Sequence, residues 1–284
     1  MTLSLTDLRE PRRLPRLPRW EVTLSFGFLG LLAVVVAVPG LVAPHDPLLT
    51  DFGRALSPPG AENLLGTDGL GRDVFSRIVY GAQYSLFIGV LSTVLGVGLG
   101  VVFGLLAGVT GRIGNEVISR TFDVIGAFPD LLFALVLITF TGPGTWNLIF
   151  AIGVASAPRY GRVVRAETLA VIHSDFVQQA RLSVASPALI VLRHVLPNAL
   201  GTVPVLATLG VGGAILGAAG LSFLGFGPAQ PIPEWGSMLS EARGDLRVAW
   251  WAGVFPGLAI TLTAIAVTVV GRHFQRSFER RSGR

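Results

Sequence analysis

Between Ile78 and Gly111 the chain carries no formal charge over 34 residues. An α-helix rises about 1.5 Å per residue, so about 20 apolar residues cross the hydrocarbon core of a bilayer, which is about 30 Å thick. This stretch therefore predicts a helix that spans a membrane. The composition agrees, because 51% of the residues are hydrophobic and only 14% are charged, a balance typical of membrane proteins.

Five further apolar stretches predict five more spans, so we expect an all-α membrane protein with six transmembrane helices. The stretches cover 22–44, about 119–141, 146 to about 164, 199–233 and 248–271. A signal peptide is the competing interpretation of the first stretch, but the apolar region of a signal peptide is shorter. We therefore interpret residues 22–44 as a membrane anchor.

The distribution of arginine predicts the orientation. The first 20 residues contain five Arg, and the last 13 contain another five. Because Lys and Arg accumulate on the cytoplasmic side of membrane proteins, we place both termini in the cytoplasm. The predicted organisation is a cytoplasmic tail rich in Arg and Pro over 1–20, a first transmembrane helix over 21–44, an external segment over 45–80, a core of five transmembrane helices over 81–272, and a basic cytoplasmic tail over 273–284.

Two residue types are missing, and their absence excludes several kinds of chemistry. All 22 basic residues are Arg, and the chain contains neither Lys nor Cys. A Walker A loop and a Schiff-base enzyme each need Lys, while a disulfide or a thiolate nucleophile needs Cys. The four histidines (His45, His173, His194 and His273) show no metal-site spacing. We therefore expect no catalytic residue, no metal and no cofactor in this chain. Its net charge of +5 reflects arginines that flank apolar spans rather than a nucleic-acid surface.

A polar and basic segment, His173 to Asn198, interrupts the apolar pattern. Apolar residues recur at helical spacing in both of its halves, and we expect two short amphipathic helices. Pro197 should end the second, because proline cannot continue a helix without strain. Such a segment between two spans buries one face and offers the other to a partner outside the bilayer. The spaced residues are Phe176, Val177, Ala180 and Val184 in the first half and Leu189, Ile190, Leu192 and Leu196 in the second.

This segment resembles the cytoplasmic EAA loop of permease subunits in binding-protein-dependent ABC importers. The family pattern is Glu-Ala-Ala, three residues, Gly, and about a dozen residues later Leu-Pro. Here the triplet is Gln178, Gln179 and Ala180, the Gly position holds Val184, and Leu196-Pro197 closes the pattern. Ala180-Arg181 and the run 193–198 match the dipeptide, oligopeptide and nickel branch, and the chain resembles its C-type peptide-permease subunit.

Three further strings resemble the peptide permeases of that branch. They are LGTDGLGRDVFSRIVYGAQYSL at 65–86, LSFLGFG at 221–227 and PEWGSML at 233–239. The resemblance covers nearly all the chain from about Pro44 to the last span. It implies a type I importer permease in the bacterial inner membrane that works by alternating access. It also implies a homologous second permease subunit, two ABC ATPase subunits and an extracytoplasmic substrate-binding protein.

The resemblance also implies which residues contact the ATPase subunits. They are Phe176, Gln178, Gln179, Ala180, Arg181, Leu182, Val184, Leu196 and Pro197. Glycine permits a turn with positive φ, whereas a β-branched valine resists that conformation. We therefore predict negative φ at Val184, with the first short helix running on towards Ser186-Pro187, where proline disfavours the helical conformation of the preceding residue. An experimental backbone angle at Val184 would test this.

Small residues predict one close helix contact. Gly100, Gly104 and Gly108 fall on a single face of the uncharged helix, where they let the backbone of a neighbouring helix approach. We expect packing rather than ligand binding at these positions.

Four aspartates, at positions 68, 73, 123 and 130, lie within or close to the apolar stretches. The glycine-rich string around Asp68 is not a phosphate cradle, since neither a strand before it nor a Lys after it is present. We expect Asp68 and Asp73 to bond turn backbone or to pair with Arg72 and Arg77. Asp123 should lie near the headgroups and pair with Arg120, three residues earlier. Asp130 lies deeper, and neither its role nor the residues that bind substrate can be assigned from the sequence.

The function that the resemblance implies is a subunit of an ATP-driven importer for di- or oligopeptides. This subunit would form half of the pathway, and 173–198 would couple it to the ATPases. A nickel-complex importer of the same family is the alternative. A secondary transporter is a weaker one, because intramembrane acids are few, and a membrane hydrolase would need a nucleophile and base that we do not find. The lack of Lys independently places ATP hydrolysis in another chain.

Overall fold

The computed structural model describes residues 18–182 and 186–282, and this part of the chain is helical without strands. The helices are α1 Arg19–Ala37, α2 Pro39–Val42, α3 Val74–Val109, α4 Arg112–Gly126, α5 Asp130–Thr141, α6 Thr145–Ile172, α7 Asp175–Leu182, α8 Pro187–Ile190, α9 Leu196–Ala199, α10 Val203–Leu221, α11 Trp235–Ala242 and α12 Trp251–Ser282. Two π-helical turns, Val191–Val195 and Ser222–Phe226, follow α8 and α10 directly. A 3₁₀ turn, Phe52–Arg54, lies in the long connection between α2 and α3.

Four described helices are long and apolar enough to cross a membrane, namely α1, α3, α10 with its π turn, and α12 up to Ser277. A fifth span results if the bent pair of α4 and α5 is counted as one. The predicted fourth span lies within α6, which also carries Arg159, Arg162 and Arg165 and is not among these candidate spans. The fold class is therefore the all-helical membrane class that the sequence predicts, while the number of six spans stays a prediction.

The third predicted span is broken into two helices. Helices α4 and α5 meet at 93°, with the break at residues 127–129. The residue before a proline is disfavoured in the helical conformation, and Pro129 itself has extended ψ. The prediction that Asp123 pairs with Arg120 is wrong, because Arg120 pairs instead with Glu116, one turn earlier on α4.

The centre of the fold is the contact between α3 and α6. On α3, a Cβ added at Gly100 would lie 2.9 Å from the backbone nitrogen of Gly161, and one at Gly104 would lie 2.5 Å from its carbonyl oxygen. Gly108 faces Thr168 further along the same line. The glycines of α3 thus let the backbone of α6 and the Cβ atoms of Tyr160 and Val164 come close, which is the geometry that spaced small residues allow in membranes.

The remaining helices surround this pair. Apolar side chains of α5, α6 and α10 form one core with Ile88 of α3, and those of α10, α11 and α12 form another with Val74 and Ala82. Helix α1 lies at the edge, where Phe26 meets Phe274 of α12 edge to face. Helix α12 continues without interruption from the predicted last span into the basic tail.

Replacing Gly104 tests the α3–α6 contact. In Gly104→Leu the new side chain would occupy space now filled by Gly161 and Val164, so we expect the helices to separate at a cost of about 1–3 kcal/mol or more. The chain should still insert into the membrane but fail to assemble, as measured by co-purification of the other subunits.

Gly98→Leu is the matched control. Gly98 lies on the same helix, but a Cβ there meets nothing within 4 Å. We expect this variant to assemble normally. Normal assembly of Gly104→Leu would contradict the packing role.

Candidate functional site: the coupling segment, the arginine stripe and the cavity

The segment between α6 and α10 contains the two helices that the sequence predicts. Helix α7 forms the first, and residues 187–199 form one continuous helical run. Val177 from the first packs with Ile190 and Val195 from the second, and these three side chains are buried. Leu105 of α3 and two residues of α6, Val171 and Ile172, pack against them. The segment is thus attached to both members of the central helix pair.

The prediction that Pro197 ends the second helix is wrong. The helical run continues through Pro197 to Ala199. The π turn just before it explains why, since there the amide of Leu196 donates to the carbonyl of Val191, five residues back. The wider turn relieves the clash between a proline ring and the preceding turn of an α-helix.

The residues predicted to contact ATPase subunits lie mainly on the outer surface of this segment. Phe176, Gln178, Gln179 and Pro197 are exposed, and Ala180 and Leu196 are half-buried. Arg181 and Leu182 form the end of α7, while Val184 and its predicted φ lie outside the described residues. The outer surface also exposes two leucines that the family pattern does not single out, Leu189 and Leu192, the second with 62% of its surface accessible.

Three arginines of α6, spaced three residues apart, form a stripe that holds the bent pair α4–α5. Arg159 makes an ion pair with Asp130 in the first turn of α5. Arg162 donates from Nη1 to the carbonyl of Phe122 near the end of α4, at 3.2 Å. Arg165 donates from Nε to Asn115 near its start, at 2.6 Å. The stripe therefore binds both sides of the break.

The sequence does not predict the role of these three arginines. Their i, i+3, i+6 spacing places them on one helix face, which was a usable signal. Their acceptors, however, lie 29 to 50 residues away along the chain.

A cavity of about 280 Å³ opens beside the first arginine of the stripe. Helices α3, α5, α6 and α10 line it, largely with apolar side chains. Its polar groups include Thr93, Ser156 and Tyr160, together with the pair Asp130–Arg159. This arrangement assigns a partner to Asp130, which the sequence left without one.

Elsewhere in the fold, two buried arginines join the segment before α3 to α11. Arg72 donates from Nε to Asp68 at 2.7 Å and also pairs with Glu241 of α11. Arg77 donates to the same Glu241 at 3.1 Å and lies 3.6 Å from Asp68. Asp73 caps α3 by accepting from the amide of Ser76. The expected pairing and turn-bonding of the two aspartates is confirmed, and Glu241 is the partner that the sequence did not reveal.

Removing one member of this cluster should destabilise the protein. Arg77 is 1% exposed, and Arg77→Met would leave Asp68 and Glu241 with less positive charge in a desolvated place. Losing one partner from a buried pair typically costs about 3–5 kcal/mol. We expect a clear fall in Tm of the purified protein and faster proteolysis of residues 45–73.

Arg54→Met provides the control, because Arg54 makes its ion pairs on the same segment with about half of its side chain exposed. Exposed pairs contribute about 1 kcal/mol or less. A shift in Tm as large as that of Arg77→Met would mean that burial of the cluster does not matter.

Comparison with known proteins places this geometry in a family. Residues 100–284 match the family described as binding-protein-dependent transport system inner membrane component. The dipeptide transport system permease protein DppC of Alkalihalophilus pseudofirmus is 39% identical over 87% of this chain and 83% of its own length. The glutathione transport system permease protein GsiD of Pectobacterium atrosepticum is 37% identical over 90% of this chain and 86% of its own length.

Solved structures agree on the fold. Inward-facing structures of the MetNI methionine ABC transporter superpose with a TM-score of 0.58 over 71% of this chain and 96% of theirs, at 19% identity. The crystal structure of an amino acid ABC transporter with histidines gives a TM-score of 0.55 over 71% of this chain and 94% of that chain, at 15% identity. At such identities the likeness establishes the fold alone, which is the predicted permease fold. On the family match and the extent of its relatives, this chain belongs to the inner-membrane components of binding-protein-dependent transport systems.

Proposed function

We propose that this chain is the permease subunit of an ATP-driven importer for di- or oligopeptides, and that it forms half of the translocation pathway. The relatives named as dipeptide and glutathione permeases support the peptide class, since they match along most of their length. ATP is hydrolysed by two partner subunits, a second permease completes the pathway, and an external protein delivers the peptide. This chain needs no cofactor of its own.

One observation carries the coupling role: apolar side chains stand exposed on a segment whose other exposed residues are polar. Phe176, Leu189 and Leu192 are exposed, while Gln178 and Arg193 stand among them. A lipid-facing surface would lack those polar neighbours, whereas a short amphipathic helix that enters a groove of a partner protein presents this mixture. The ATPase subunits are the partners that such a groove would belong to.

The buried side of the segment supports transmission of movement. Val177, Ile190 and Val195 pack against α3 and α6, so a partner that displaces α7 displaces these helices with it. The α3–α6 contact is tight along its glycine line, and the arginine stripe attaches α4 and α5 to α6. A displacement applied at α7 therefore reaches the cavity through closely packed contacts, as alternating access requires.

Charging one exposed and one half-buried apolar residue of this segment tests the proposal. Leu192→Asp, and Ala180→Asp on α7, should release the ATPase subunits, because a carboxylate would have to be buried in the partner groove without a counter-ion. We expect loss of at least about tenfold in complex recovered by co-purification, and loss of peptide uptake in proteoliposomes supplied with ATP and the loaded external protein.

Leu49→Asp is the matched control. Leu49 is as exposed as Leu192 but lies in the segment predicted to be external. It should leave the ATPase subunits bound. Retention of the complete complex by Leu192→Asp and Ala180→Asp would refute the docking role, and a wild-type complex without peptide uptake would refute the peptide importer.

A further inference from the structure

The charged pair Asp130–Arg159 stands where charge is costly. The six predicted spans with cytoplasmic termini place the turn at Gly142–Gly144 at the external surface. Measured from that turn at about 1.5 Å per residue, Asp130 lies about 18 Å along α5 and Arg159 about 22 Å along α6. Both then fall inside a hydrocarbon core about 30 Å thick. Ionisable residues at such depth face a cavity or a partner and mark pathways for polar solutes.

The pair is also accessible, unlike the buried ion pairs that Arg72 and Arg77 make with Asp68 and Glu241. Side-chain exposure is 47% for Asp130 and 58% for Arg159, and both residues line the cavity of about 280 Å³. The cluster around Arg77 shows the alternative, in which charges that only join two segments are buried and share several partners. The exposed pair is therefore in a position to exchange partners with a solute.

The two charges are held on separate elements that the rest of the fold positions. Asp130 occupies the first turn of α5, where the helix dipole favours a negative charge. Arg159 is followed directly by Tyr160, which packs against Gly100 of α3 and Gly210 of α10. The second arginine of the stripe holds the end of α4 independently. Loss of the Asp130–Arg159 contact would consequently leave both side chains in place, a short distance apart, with opposite charges.

A peptide supplies the complementary charges. Whatever its side chains, a peptide with free ends carries one ammonium and one carboxylate, and guanidinium and carboxylate groups bind these by charge-assisted hydrogen bonds. Replacing one ion pair by two leaves the net charge of the cavity unchanged. The apolar remainder of the lining tolerates varied side chains, because it makes few directional contacts.

We propose that Asp130 and Arg159 form an exchangeable ion pair that opens to bind a peptide by its ends, Asp130 taking the ammonium and Arg159 the carboxylate. This inference rests on the proposed function and adds a binding site within the pathway. It predicts recognition of the two free ends rather than of any particular side chain.

Competition binding with capped peptides tests the proposal. The complete complex of permease and ATPase subunits is placed in lipid nanodiscs without the external protein, and bound radiolabelled alanyl-alanine is displaced by the unlabelled peptide, by its N-acetyl form or by its C-terminal amide. For the wild type each capped form should compete about tenfold more weakly, the loss expected for one charge-assisted hydrogen bond.

Arg159→Gln should lose only the preference for a free carboxylate, and Asp130→Asn only the preference for a free ammonium. In Arg159→Gln the free acid and the amide should compete equally while the acetylated form stays weaker, and in Asp130→Asn the reverse should hold. Arg159→Lys, which keeps the charge, should restore preference for the free acid. Arg165→Gln is the matched control, since Arg165 belongs to the same stripe but does not line the cavity; its preferences should equal those of the wild type.

A purely structural pair would lower binding of all three peptides alike and leave their ratios unchanged. Unchanged ratios in the variants would overturn the proposal. So would capped peptides that compete in the wild type as strongly as the free peptide does, or a lack of saturable alanyl-alanine binding. Peptide uptake by the same wild-type complex with ATP and the external protein distinguishes failure of the ion-pair exchange from failure of the proposed importer function. Uptake with unchanged ratios contradicts the ion-pair exchange alone, whereas absence of uptake contradicts the importer function itself.

Discussion

The close contact between α3 and α6 is the constraint on which the rest of the structure depends. On the α3 side Gly100 and Gly104 contribute no side chain, so they lie directly against the backbone of Gly161 and the Cβ atoms of Tyr160 and Val164. Association of helices in lipid lacks the hydrophobic driving force available in water, so van der Waals contact between backbones has to supply the attraction. The position of α6 that follows from this contact decides where its arginines stand, and hence where α4, α5 and the cavity lie.

Local features of the fold could be predicted from the sequence, and pairings between distant positions could not. The glycine face of α3 is a matter of spacing within one helix, so the contact surface around Gly104 was visible, although its partner Gly161 was not. The pairing of Asp130 with Arg159 joins positions 29 residues apart, and no periodicity encodes it. Pro197 shows the opposite failure, since a correct local rule predicted a helix end that a preceding π turn made unnecessary.

The two kinds of arginine cluster illustrate how burial separates structural from exchangeable charge. Arg72 and Arg77 are almost completely buried and share two carboxylates, so removing either leaves a desolvated charge without sufficient compensation. Arg159 makes its ion pair in a cavity with more than half of its side chain exposed, where solvent or solute can replace the partner at small cost. Sequence alone does not distinguish these cases, because the carboxylate partners Glu241 and Asp130 lie far from the arginines along the chain.

Helix α3 has a mechanical consequence that follows from its length. It runs unbroken for 36 residues, about 54 Å at 1.5 Å per residue, and so exceeds the thickness of the hydrocarbon core. Arg77 in its first turn belongs to the buried charge cluster with Asp68 and Glu241, while Leu105 near its other end packs against the segment 173–198. One continuous helix therefore joins the charge cluster around Arg77 to the segment 173–198. A tilt imposed at either end has to appear at the other, without crossing any interface between subunits.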